Sequence, residues 1–289
     1  MNSLQSTGFY YRLRRLRSTL MEGVCLLAAV AACLPLFAFL WHVIREGGPA
    51  LGIKLFTEVP QPPGEAGGGL KNAILGSLLV AGIALAIGAP LGIGAAVYMS
   101  EFARPRVAAF IRFWCDVLSG VPSIVMGLLG YQLFVRPAGH FSALAGAGSL
   151  AFIMLPIVVI TTQEMLRLVP GSLREAGHAL GIAPWRVAWS VSLRAAAPGV
   201  LTGVILALAR IAGETAPMLF TAFGNPFVSL RLNEPIATLP HTIFNYAISP
   251  YDDWHRLAWG GALVLVGGIL VITLGSRLIL NLRSRAQSK

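Results

Sequence analysis

The chain has 289 residues, of which 56% are hydrophobic and only 12% charged, with a mean hydropathy of +0.73. A soluble domain carries about a quarter charged residues, so this composition excludes an ordinary soluble enzyme and describes a chain mostly dissolved in lipid. The net charge of +10 does not point to nucleic acid, because the basic residues flank apolar runs instead of interleaving with aromatics.

Arg12, Arg14, Arg15 and Arg17 precede a stretch from Gly23 to Ile44 that carries no formal charge for 22 residues. A cleaved signal peptide has an apolar core of roughly 7–15 residues, so the stretch reads as an uncleaved first span, Leu20–Ile44, behind a tail at 1–19. A spanning helix needs about 20 mostly apolar residues. By that rule five further spans are predicted: Asn72–Ser100, Phe113–Val135, Ala143–Gln163, Pro198–Ala222 and Leu257–Leu280. The expected fold class is an all-α membrane protein of six transmembrane helices. Residues 45–71, rich in Gly and Pro, form the first external loop, and Phe223–Arg256, broken by Pro226, Pro235, Pro240 and Pro250, forms another. Residues 282–289 are a short tail.

Of the 22 Lys and Arg, 15 fall on one set of alternating ends and connections and 6 on the other. The basic side faces the cytoplasm, which places both termini there. Gly88 and Gly92 in the second span have the spacing that lets helix backbones approach closely in lipid. That spacing fits either packing within the chain or a subunit interface. Cys25, Cys33 and Cys115 lie in or beside apolar runs without CxxC spacing, so neither a disulfide framework nor a metal site is expected, and each is read as a small buried residue. Glu101 and Asp116, near span ends, are assigned to capping or interfacial pairing.

The chain lacks HExxH and GxSxG motifs. Its three lysines, Lys54, Lys71 and Lys289, none followed by Ser or Thr, exclude a P-loop. No enzyme chemistry is therefore assigned to it. Its most informative stretch is Ala207–Pro217, where Arg210 and Glu214 stand in the middle of an apolar helix that Gly213 and Pro217 are expected to loosen. Twelve residues beyond Pro198, Arg210 falls roughly 18 Å along that helix, near the middle of a bilayer core, with Glu214 at i+4 on the same face. A charge at that depth costs a few kcal/mol. The pair either lines a polar path, where the guanidinium fork suits an oxyanion, or forms a buried ion pair that fixes packing.

Between the fourth and fifth spans, residues 164–197 have helical composition. Pro170 suits a first helical turn, Gly181 permits a helix end, and Pro184 can start a second helix. The segment is either a compact two-helix knob or an amphipathic stretch lying on the membrane surface. Its residues Glu175-Ala176-Gly177 and Gly181 resemble the EAA loop of ABC importer permeases, although that family usually has Ala where Gly177 stands and often Leu-Pro where Leu193-Arg194 stands.

Ala209–Ala222 is similar to the signature of the PstA-type permeases of phosphate-specific ABC importers, with support from Gly68–Ser77, Val97–Phe102, Val121–Gly127 and Ser249–Trp259. The resemblance implies a type-1 ABC permease domain over 72–281, with residues 164–197 as the coupling loop and Glu175, Ala176, Gly177 and Gly181 at the ATPase contact. It implies four further subunits: a second homologous permease, two ABC ATPase subunits and an external phosphate-binding protein. No cofactor is expected on this chain, and ATP with Mg would sit on the ATPases. The alternatives are another oxyanion (sulfate, molybdate or phosphonate), a phosphate-sensing membrane subunit, or a transporter that needs no ATPase.

Overall fold

The computed structural model describes residues 3–65 and 67–287. The helices in chain order are α1 (Ser3–Gly47), α2 (Ile53–Thr57), α3 (Lys71–Val97), α4 (Pro105–Gly120), α5 (Ser123–Gly130), α6 (Arg136–Ala138), α7 (Ala143–Arg167), α8 (Gly171–Ala179), α9 (Pro184–Val187), α10 (Leu193–Ala212), α11 (Ala216–Thr221), α12 (Leu239–Ala247) and α13 (Asp252–Gln287). Three π turns join consecutive helices: Tyr98–Phe102 after α3, Tyr131–Val135 between α5 and α6, and Ala188–Ser192 between α9 and α10. Among the described residues five helical stretches are long and apolar enough to cross a membrane, and α4 with α5–α6 makes a sixth if that bent pair is one span. Residues 3–19 of the expected tail continue α1. Residues 1–2 and 288–289 of the two expected tails lie outside the described residues.

α3 and α7 form the centre. Between lipid-dissolved helices apolar burial adds little drive, so close packing of small residues holds the pair together. Gly88 faces Met154, and a Cβ on Gly92 would lie 2.8 Å from the Val158 side chain. The Gly-rich face of α3 therefore packs within the chain. Val80, Ala84, Leu150, Met154, Val158, Ala207, Ile211 and Met218 complete the core with α10 and α11. The first N–H groups of α7, which no helical carbonyl can serve, are satisfied locally. Ala145 N donates to Ser142 Oγ, Ala143 N to Glu234 O and Leu144 N to Leu232 O. The loop after α11 is thereby folded over the end of α7.

α1 packs on α13 and on the turn at Gly48–Ala50. Val43 is buried there, and the His42 ring meets Trp259 edge-on at 4.9 Å. None of the most apolar stretch of α1 is buried within the chain. Cys25 and Cys33 are accordingly exposed on α1, contrary to the expectation of burial, and Cys115 alone of the three is buried.

Two spans differ from the sequence expectation. The third is not one rod: α4 ends at Gly120, α5 starts at Ser123, and the two axes turn by 105°. Pro122 has no N–H to give and forces the residue before it out of helical geometry; Val121 is extended, with ψ of 131°. The fifth is longer on one side and broken on the other. It runs without interruption from Pro184 to Ala212, stops at Gly213, and resumes as α11.

Candidate functional site

The break at Gly213 changes the setting of the two intramembrane charges. Arg210 occupies the last turn of α10, and Glu214 lies past its end, between α10 and α11, not on the face of one continuous helix. The distance counted from Pro198 is likewise replaced, because the helix starts at Pro184. Neighbouring helices give the depth instead. Arg210 shares a small cavity with Ile153 and Ile157 of α7. Ile153 is ten residues into α7, roughly 15 Å from its start. The guanidinium therefore lies near the midpoint of the bundle.

Arg210 Nε is 3.9 Å from Glu214 Oε1, too long for a hydrogen bond. The Arg210 side chain is 53% exposed and that of Glu214 only 16%. Among the described residues the Arg210 side chain makes no hydrogen bond. Glu214 is turned the other way, toward Ser77, Val80, Leu150 and Thr238. The pair is loose, with the cation outward and the carboxylate tucked in.

The second helix break meets Arg210 at the same depth. Leu118, Ser119, Val121 and Ser123, which surround the 105° bend, line the Arg210 cavity. Ser119, Gly120 and Pro122 are exposed, as Arg210 is. Non-helical backbone and an open guanidinium are not left to hydrocarbon; at this depth they face protein or a water-filled path. The cavity itself measures about 20 Å³, room for no more than one water. A tetrahedral oxyanion would have to lie on the open side of Arg210, against the bend.

At one end of the bundle, α8 and α9 form a compact two-helix knob rather than a single surface helix. α8 closes with two bonds: Gly181 N donates to His178 O at 2.9 Å and Ile182 N to Gly177 O at 3.2 Å. This double closure requires a left-handed residue at the position of Gly181, whose φ is +72°. Pro184 then opens α9 at a position where a missing N–H costs nothing. Gly177 is buried, and a Cβ there would lie 3.0 Å from Val187 Cγ2, so the two helices touch closely. Glu175, Ala176 and Gly181 are exposed, with Leu173, Leu180 and Trp185 beside them. An acidic residue among exposed apolar side chains makes a surface suited to a protein partner.

Sequence reasoning did not find the two arginine clamps behind this knob. Arg174 contacts Glu101, Ser192 and Leu166, and Arg112 contacts Gln163 at 2.9 Å and Glu164 at 3.1 Å. Glu101 does pair, as expected of a residue at a span end. The serines at the bend were also missed; the run Gly120-Val121-Pro122 inside an apolar segment was the available signal.

Residues 88–286 match the family model described as binding-protein-dependent transport system inner membrane component. The phosphate transport system permease protein PstA of Xylella fastidiosa strain 9a5c is 47% identical over 96% of this chain and 97% of its own length. Its namesake in Haemophilus influenzae is 45% identical over 96% and 98%. PstA 1 of Mycobacterium tuberculosis is 35% identical over 92% and 89%. Two solved structures share the fold at low identity. One is of a bacterial alginate ABC transporter (TM-score 0.66, 14% identity, 91% of this chain and 94% of that one). The other is of the MetNI methionine ABC transporter in an inward-facing form (TM-score 0.61, 16%, 73% and 94%).

Proposed function

Because this chain belongs to the binding-protein-dependent transport system inner membrane components, we propose that it is a permease subunit of an ATP-driven importer of inorganic phosphate. The cargo reading rests on relatives at 45–47% identity that are named phosphate transport permeases. A second, related permease covers the exposed Arg210 face and encloses the path. An external binding protein delivers phosphate to the loop end of the bundle. Two ATPase subunits grip the knobs from the cytoplasm, the side on which both termini lie, and ATP with Mg is held there, since this chain has no P-loop. ATP-driven closure of the ATPases moves each knob as a lever and switches access to the path.

The observation that carries this reading is the pairing of an exposed guanidinium with a broken helix at mid-depth. A charged fork, two nearby hydroxyls (Ser119 and Ser123) and freed backbone donors can replace water around a phosphate in transit. Glu214, tucked in on the other side, restrains Arg210 electrostatically when no anion is present.

The test is reconstitution of the whole assembly in vesicles with binding protein and ATP, measured with radiolabelled phosphate against sulfate. Loss of a charge-assisted contact of about 1.5–3 kcal/mol predicts that Arg210→Gln slows uptake roughly ten- to a hundredfold, with assembly intact. Unchanged uptake would reduce the pair to a packing device. Equal uptake of sulfate would remove the cargo assignment.

A further inference from the structure

A lever works only if it is stiffly joined to what it moves. Three residues, Leu168 to Pro170, join α7 to the knob, and a π turn joins the knob to α10. Arg174 adds a third, non-covalent joint. It sits on α8 next to the exposed Glu175 but points the other way, with its side chain 26% exposed. Its Nε donates to Glu101 Oε1 at 3.0 Å and, more weakly, to Ser192 Oγ at 3.3 Å. Its Nη2 donates to Leu166 O at 2.8 Å.

The three acceptors belong to three different helices of the bundle. Leu166 O lies in the last turn of α7, where it also accepts from Val169 N at 3.2 Å, so the guanidinium joins a carbonyl that already closes the helix end. Glu101 lies in the π turn that prolongs α3, with its side chain only 12% exposed. Ser192, fully buried, closes the π turn that leads into α10. A π turn accommodates an extra residue and so re-aims its side chains, and such turns recur at functional positions. Here two of them turn a carboxylate and a hydroxyl toward one guanidinium. A rigid fork of N–H donors can hold several fixed acceptors at once; a lysine ammonium would reach fewer of them in register.

We propose that Arg174 is the positioning residue that transmits displacement of the knob into α3, α7 and α10 together. α7 and α10 both border the Arg210 cavity, together with α4 and α5, so one guanidinium ties the ATPase contact to the path. This inference rests on the reading that an ATPase docks on the knob.

The experiment measures ATP hydrolysed and phosphate imported in the same vesicles containing the complete assembly and binding protein. In Arg174→Gln, ATPase association and hydrolysis stay at wild-type levels while phosphate imported per ATP falls about fivefold or more, the usual scale of coupling between sites. Arg174→Lys gives an intermediate ratio, and Glu101→Gln lowers it in the same direction. A purely structural role would instead lower assembly and activity together and leave the ratio unchanged. An unchanged ratio in Arg174→Gln, or in Glu101→Gln where Arg174→Gln fails to assemble, overturns the proposal. ATPase association insensitive to Glu175→Lys overturns the docking reading beneath it, and this inference with it.

Discussion

Substitutions at Gly181 separate backbone conformation from side-chain size as the reason a glycine stands at the knob's turn. Its φ of +72° is a left-handed value, and a Cβ built there meets nothing within 4 Å. Inside this chain a side chain at 181 therefore costs conformation and no space. For an L residue the left-handed conformation costs about 1–2 kcal/mol, with asparagine tolerating it best. A β-branched residue pays more. If the turn opens to escape the strain, the bonds from Gly181 N and Ile182 N are at risk, each worth about 1 kcal/mol. Because 1.4 kcal/mol is a factor of ten in an equilibrium, Gly181→Ala lowers the ratio of closed to opened turns roughly tenfold, Gly181→Val lowers it further, and Gly181→Asn lowers it least. The assay is co-purification of the ATPase with each variant, followed by ATP-dependent phosphate uptake in vesicles. The expected order is Gly, Asn, Ala, Val. An order that follows volume, with Ala ahead of Asn, refutes the conformational argument and indicates that the ATPase surface itself crowds position 181.

Gly76→Ala destabilises the loop end of the bundle: its Cβ would run into Ala237 O and lie 2.9 Å from Ile236 Cγ1. Overpacking of this kind costs about 1–3 kcal/mol, read as a lower melting temperature of the detergent-purified chain; an unchanged melting temperature contradicts the close contact. In the loop after α11, Glu234 accepts from Arg231 Nη1 at 2.8 Å and from Ser229 Oγ at 2.9 Å, and these bonds hold its carboxyl below the usual carboxylate range. The folded value being lowered, the contribution of this pair is complete above the ordinary carboxylate range and fades only as pH falls through the lowered value. Tryptic cleavage after Arg231 is thus expected to be no more dependent on pH between 6 and 8 than that of an unstructured control peptide, and faster in Glu234→Gln. Equal cleavage of the two proteins would show that the pair does not order the loop.

Apolar run length was sufficient to locate the membrane-crossing segments, because a bilayer demands about the same count from every helix. It could not show interruptions. The run Phe113–Val135 is apolar enough to pass as one span although Pro122 divides it. The knob was readable because its turn depends on two residues with narrow conformational meaning, Gly181 and Pro184. The Arg174 clamp was not, since Glu101 is 73 residues away in the chain and only the folded arrangement brings them together. The Arg210 and Glu214 positions stood out as charges in an apolar run, but their divergence, one outward and one tucked in, follows from the stop at Gly213 that no i+4 rule anticipates.

Interrupting two helices at the midplane inverts the ordinary distribution of softness. A continuous helix frays at its tips and is firmest halfway along. In this molecule the tips of α7 are pinned, at one end by the folded-over loop and at the other by two arginines, while α4–α5 and α10–α11 lack helical continuity at the level of its middle. Bending should therefore concentrate in the interior, and the two membrane faces should travel as comparatively stiff plates about a pliant waist.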